Sequence, residues 1–128
     1  MVMSVDTVVV EAPHVAIIDD EPDTIELLKK AFSMRKIPIA FTASNGMEGA
    51  YRFMSAERKP DVIIMDHRMP LANGIETTKE ILSYAPKAKI IFLSADETVE
   101  EAALEAGAIG FFKKPVNMKV IVDAVRAA

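Results

Sequence analysis

Two adjacent carboxylates, Asp19 and Asp20, follow directly on the apolar run His14–Ile18, and a third, Asp66, follows directly on the run Asp61–Met65. Adjacent carboxylates repel one another, and a partly buried charge needs a partner. A hard divalent cation such as Mg2+ (or Mn2+) is a natural partner, because it takes oxygen ligands and few carboxylates suffice. One of the pair could instead cap the helix that starts near Pro22, which leaves the other to be explained. Ser94 ends a fourth apolar run with a hydroxyl, and Lys114 follows a fifth, held extended ahead of Pro115. Its neighbour Lys113 is expected to face solvent. Ser94-Ala95-Asp96-Glu97 also fits a capping box, so Ser94 has a second, purely local reading. Acids with a metal, a hydroxyl and a lysine together describe a phosphoryl site. Metal and lysine neutralise oxygens, the hydroxyl donates and a carboxylate receives.

These groups are far apart in the chain, so folded elements must gather them. Five short apolar runs stand out: His14–Ile18, Ile37–Thr42, Asp61–Met65, Ala88–Leu93 and Ala108–Phe112. Each is continuous rather than alternating, as expected for strands buried on both faces of a parallel sheet. Helical periodicity fills the gaps. Pro22 suits the first turn of a helix with Ile25, Leu28 and Phe32 on one face. Asn45 and Glu48 read as an N-cap pair for a second helix through Met54. Gly74 opens a third, carrying Ile75 and Leu82. A fourth runs from about Glu97 to Ala106 and stops at Gly107, and a fifth starts near Asn117 and carries Val120, Ile121 and Ala124. Repeated β-helix-β units predict an α/β fold, a (βα)5 doubly wound five-stranded parallel sheet with helices on both faces. In such sheets ligands bind beyond the carboxyl ends of the strands. Four of the five strands deliver an ionisable or hydroxyl group to that edge; the second delivers only Thr42-Ala43-Ser44.

Composition bounds the rest. At 128 residues and 14.0 kDa the chain is expected to form one domain, over residues 14–128, large enough to fold without staples. Without cysteine, it has no disulfide, thiolate metal site or cysteine nucleophile. A net charge of -4 argues against binding nucleic acid or anionic lipid by bulk charge. No apolar run approaches the ~20 residues of a membrane span, and Met1–Pro13 lacks the pattern of a secretory signal. A cytoplasmic protein is the expectation. Residues 1–13 are expected to be a flexible extension, with Val8-Val9-Val10 a candidate edge strand.

The chain resembles the receiver domain of two-component response regulators over about residues 14–128. The resemblance rests on Ile17-Ile18-Asp19-Asp20-Glu21-Pro22, and on Asp61-Val62-Ile63-Ile64-Met65-Asp66 followed by Met69-Pro70 and Gly74. Leu93-Ser94-Ala95 and Gly110-Phe111-Phe112-Lys113-Lys114-Pro115 complete it. It implies a flavodoxin-like strand order, 2-1-3-4-5. It implies Asp66 as phosphoacceptor, attacking a phosphohistidine phosphorus, and Mg2+ held by Asp19, Asp20, Asp66 and the backbone carbonyl of Arg68. Lys114 is then the contact to a phosphoryl oxygen, its bond to Pro115 cis. Ser94 is the switch hydroxyl and Phe111 the switch aromatic, turning inward as Ser94 is drawn toward the phosphoryl group; plain core packing is the other reading of Phe111. Arg68 and Asp96 are positions that tune phosphoryl lifetime, and their opposite charges suggest a pair across the pocket mouth that hinders water. Two solvated side chains are the alternative.

The implied donor is a sensor histidine kinase or histidine phosphotransfer protein, and the implied output is a downstream protein or effector domain. No direct nucleic-acid or membrane contact is expected, and a phosphorylation-dependent homodimer is compatible with the family. The protein is then a switch and not a turnover enzyme, though it catalyses its own phosphotransfer and autodephosphorylation. The output surface in the family is helix four, strand five and helix five. Glu97, Glu100, Glu101 and Glu105 give it an acidic stretch, either a solvated face or a preference for a basic partner. The helix-five segment lacks the Arg-rich pattern of winged-helix dimers. A flavodoxin-like electron carrier needs a Ser/Thr/Gly-rich phosphate loop where this chain has Asp-Asp-Glu-Pro. A haloacid-dehalogenase-type phosphatase needs Asp-x-Asp after the first strand, and a P-loop is absent. A degenerate receiver that binds a partner without phosphorylation is the remaining alternative. Asp19, Asp20, Asp66 and Lys114 carry half of the net charge, so the excess acid is concentrated where a divalent cation would offset it.

Overall fold

The computed structural model describes residues 11–128. Residues 1–10, and with them the candidate edge strand Val8–Val10 and most of the expected extension, lie outside the described residues. Five parallel strands, β1 (Val15–Ile18), β2 (Ile39–Ala43), β3 (Val62–Met65), β4 (Lys89–Ser94) and β5 (Gly110–Lys113), form one sheet in the order β2-β1-β3-β4-β5. They alternate with α1 (Pro22–Met34), α2 (Gly46–Ser55), α3 (Gly74–Tyr84), α4 (Glu100–Glu105) and α5 (Met118–Ala127). The (βα)5 doubly wound architecture and its strand order are as expected.

The continuous apolar runs are explained by the two-sided sheet. Val15, Ile17, Val62, Ile64, Ile91 and Leu93 face α1 and α5, where they meet Leu28, Phe32, Ile121, Val122 and Val125. The alternate residues Ala16, Ile18, Ile63, Met65, Ile90 and Phe92 face the other layer, where they meet Phe53 of α2, Ile81 of α3 and Ala103 of α4. With period two, every apolar residue of the central strands therefore finds a core, and only Lys89, at the start of β4, is exposed. The edge strands β2 and β5 differ from the expectation. They are only half buried, because a sheet edge has a neighbour on one side alone. Both also start two residues late: the Ile37 N–H bonds the Phe32 carbonyl and the Ala108 N–H bonds the Ala103 carbonyl, so these residues finish the preceding helices.

Helix details move as well. Asn45 caps α2 by accepting from the Glu48 N–H at 2.7 Å, but the Glu48 carboxylate reaches back to the Ser44 N–H rather than to Asn45. The buried face of α3 is Gly74, Thr77, Thr78 and Ile81; Ile75 and Leu82 are only partly buried against the core. Val120 of α5 points to solvent, and Val122 and Val125 take the inner face. The expected fourth helix begins as a 3-10 turn at Glu97–Val99 before α4, and Gly107 ends the segment at φ +114, where a side chain would be strained. Among the described residues no helix is long and apolar enough to cross a membrane.

Candidate functional site

The chain leaves β1 toward β2 on one side, while β3 lies on the other side of β1, so strand order reverses between β1 and β3. That switch point is where open α/β sheets bind ligands. Asp19 is the first residue beyond β1 and Asp66 the first beyond β3. Their backbones are tied into the sheet: the Asp19 N–H donates to the Ala43 carbonyl at 3.0 Å and the Asp66 N–H to the Ile18 carbonyl at 2.9 Å. Both side chains are buried, whereas Asp20 is exposed. One oxygen from each of Asp19, Asp20 and Asp66 falls within 4.8 Å of the others.

β4 supplies Ser94, its last residue, 1% exposed. The Ser94 Oγ accepts the Asp96 N–H at 3.1 Å, and Asp96, not Ser94, caps the following 3-10 turn by accepting from the Thr98 N–H. The capping-box reading of Ser94 therefore does not hold, and the hydroxyl proton stays available. β5 supplies Lys114, whose N–H donates to the Ser94 carbonyl at 2.9 Å and whose bond to Pro115 is cis. Its Nζ donates to Asp19 Oδ2 at 2.9 Å and to Glu21 Oε1 at 2.7 Å, and it lies 3.8 Å from Asp66 Oδ1. Lys113 is exposed, with Glu97 at 3.6 Å.

These groups border one open cleft of about 500 Å³ whose lining includes Asp20, Asp66, Ser94, Lys114, Arg68 and Asp96. Arg68 Nη2 and Asp96 Oδ2 meet at 2.6 Å, so the expected pair forms. Phe111 stands apart from the lining. Its ring is half-buried and stacks on Phe92, register partner across β4 and β5, with centroids 6.1 Å apart. Three cleft contacts went unread in the sequence: Glu21 on Lys114, the Glu21 N–H donating to Asp19 Oδ1 at 2.9 Å, and the His67 N–H donating to Asp66 Oδ1 at 2.9 Å. Glu21 carried a signal, as a third consecutive acid, but its partner lies 93 residues away.

Burial and like charge dominate the electrostatics. Asp66 is pushed up to about 7, by burial first and then by the charge of Asp19, against opposing effects of Lys114 and the His67 N–H. Burial raises Asp19 too, only partly offset by the Glu21 N–H and Lys114. Burial alone pulls Lys114 down, but its bonds to Glu21 and Asp19 leave it above the ordinary lysine range. An all-oxygen donor set carrying more negative charge than one lysine offsets fits a hard divalent cation.

A family model described as the response regulator receiver domain matches residues 15–126. The chemotaxis protein CheY of Thermotoga maritima is 36% identical over 114 residues, which cover 88% of this chain and 93% of that protein. The transcriptional regulatory protein LnrK of Bacillus subtilis is also 36% identical over 114 residues, 87% of this chain but 51% of LnrK. The chain thus spans about half the length of the curated transcriptional regulators it first matches. Among solved structures, the CheX-CheY-BeF3-Mg2+ complex from Borrelia burgdorferi superposes with a TM-score of 0.83 at 27% identity, over 89% of this chain and 87% of that one.

Proposed function

The chain belongs to the response regulator receiver domains of two-component signalling, and from that premise we propose that it is a switch set by phosphorylation of Asp66. The observation that carries this is the placement of one buried carboxylate, Asp66, between two further carboxylates and a lysine at the switch point of the sheet. In the proposed step an Asp66 carboxylate oxygen attacks the phosphorus of a phosphohistidine. The O–P bond forms as the P–N bond breaks, and the bond pair returns to the imidazole of a sensor histidine kinase or histidine phosphotransfer protein. Lys114 contacts a phosphoryl oxygen, and the Ser94 hydroxyl, which only accepts in the resting state, donates to another.

Mg2+ or Mn2+ would be held by Asp19, Asp20, Asp66 and the backbone carbonyl of Arg68. When bound, it supplies the positive charge that acids and phosphoryl oxygens together require. Movement of Ser94 toward the phosphoryl group frees space for Phe111 to turn inward from its stack on Phe92, a population shift between two packings. α4, β5 and α5 carry that change to a downstream protein or effector domain, or to a phosphorylation-dependent homodimer. We place the protein in the cytoplasm, as a switch that catalyses its own phosphotransfer and autodephosphorylation and turns over no other substrate. We take residues 14–128 as the receiver unit.

The test is incubation with Mg2+ and acetyl phosphate or phosphoramidate, read by mass. A gain of one phosphoryl group that is lost on omitting the divalent cation and in Asp66→Asn is the expected result. No gain in the wild-type chain leaves a degenerate receiver that binds partners without phosphorylation.

A further inference from the structure

The resting lysine is turned away from the acceptor. Lys114 Nζ is 2.7 Å from Glu21 Oε1 and 2.9 Å from Asp19 Oδ2, but 3.8 Å from Asp66 Oδ1, beyond hydrogen-bond range. Two acids therefore occupy two of its three N–H bonds. They differ in kind. Asp19 is buried and its other oxygen is fixed by the Glu21 N–H. The Glu21 side chain is 60% exposed, makes no capping bond to α1, and is not one of the three carboxylates gathered at the switch point. It can swing into water at little cost, which Asp19 cannot.

Resting on the phosphoacceptor reading of Asp66, we infer that Glu21 is a positioning residue: its carboxylate draws Lys114 off Asp66 in the resting protein and gives the lysine up when a phosphoryl group arrives. The incoming group brings three oxygens of like charge beside Glu21. They repel the carboxylate and offer Lys114 a replacement for it. The Glu21–Lys114 bond thus exists before transfer and not after, so it stabilises the resting site selectively and slows phosphorylation.

Glu21→Gln removes the charge while keeping the shape, on an exposed residue whose side chain does not support the helix. The reaction to follow is transfer to Asp66: the Asp66 O–P bond forms while the P–O bond of acetyl phosphate breaks to release acetate. With phosphoramidate the P–N bond breaks and its already protonated nitrogen leaves as ammonia. At saturating Mg2+ the variant is expected to be phosphorylated about two- to fivefold faster, the scale of one partly exposed ion pair. The factor is expected to be the same for both donors and to vanish when Lys114→Ala is the background. A crystal structure of Glu21→Gln is expected to place Lys114 Nζ within about 3.2 Å of Asp66. An unchanged rate overturns the inference, as does a gain confined to the more highly charged acetyl phosphate, or one that persists without Lys114. A lysine still out of reach of Asp66 in the variant structure overturns it too. A wild-type chain that accepts no phosphoryl group removes the phosphoacceptor reading and this inference with it; a wild-type chain that accepts one at the rate of Glu21→Gln removes the inference alone.

Discussion

Arg68 and Asp96 close on each other across the cleft, guanidinium nitrogen to carboxylate oxygen, at 2.6 Å. They come from different loops, after β3 and after β4, and both border the space beside Asp66. Asp96 is held in place first by Thr98, whose hydroxyl and N–H both donate to it, and then by Arg68; together these bonds keep its carboxyl below the usual range.

On the phosphoacceptor reading of Asp66, this bridge would hinder a water that approaches an acyl phosphate there. Arg68→Ala and Asp96→Ala are each expected to shorten the phosphoryl lifetime, by about two- to fivefold given the exposure of the arginine. Dephosphorylation followed after donor removal checks this, and rates equal to wild type would sink the idea.

The raised Asp66 has a thermodynamic signature. Its native value of about 7 lies above the ordinary carboxylate value near 3.9, so in the intervening range the native state binds more protons than the unfolded one. The contribution of Asp66 to stability then falls as pH rises from about 4 to about 7 and levels off above. Without a divalent cation, Asp66→Asn is therefore expected to be more stable than wild type at pH 8, by about 1–3 kcal/mol, with the gap closing toward pH 4. Urea melts in chelator at the two pH values decide it; an Asn variant weaker than wild type at pH 8 contradicts the argument.

Ser94 is buried, yet its hydroxyl proton has no fixed acceptor among the described contacts. Ser94→Ala is expected to leave the mass gain on Asp66 intact while abolishing the shift of the Phe111 ring signals that follows it. Side-chain NMR with and without donor tests the link. A Phe111 shift that survives the substitution would show that the ring responds without the hydroxyl.

Gly74 lets α3 start in close contact with the loop that carries Asp66. A Cβ there would sit 2.2 Å from the Asp66 carbonyl oxygen and 2.9 Å from the His67 Cα, both backbone, while the Gly74 N–H bonds the His67 carbonyl at 2.8 Å. Gly74→Ala must therefore push α3 away from the loop that carries Asp66. A loss of about 2–3 kcal/mol in chemical denaturation is expected, with slower phosphorylation. A variant as stable as wild type would mean that the loop yields freely.

Much of this site could be read before folding, because it uses short-range rules. Asp19, Asp66 and Ser94 each directly end a run such as Val62-Ile63-Ile64-Met65, because the buried central strands carry apolar residues up to their carboxyl ends; Lys114 follows β5 one residue later, after the exposed Lys113. What escaped depends on contacts that spacing does not encode. Glu21 has no role assigned from spacing, because its partner Lys114 enters the site from the far end of the chain. The cap alternative for Ser94 stays open in the sequence because Asp96, two residues on, has equal claim to that role, which it takes. Which apolar residues of α5 are buried is not encoded in their number: Val120 is exposed while Ile121, Val122 and Val125 are buried.

The lysine and Asp19 that meet in the cleft are 95 residues apart, one beyond the first strand and one beyond the last. During synthesis, therefore, the acids emerge from the ribosome well before the cation that balances them. A nascent chain that has β1 to β4 in hand carries an acidic hole with no lysine to fill it. Only when β5 joins the sheet edge does Lys114 reach those acids and close the charge balance of the cleft.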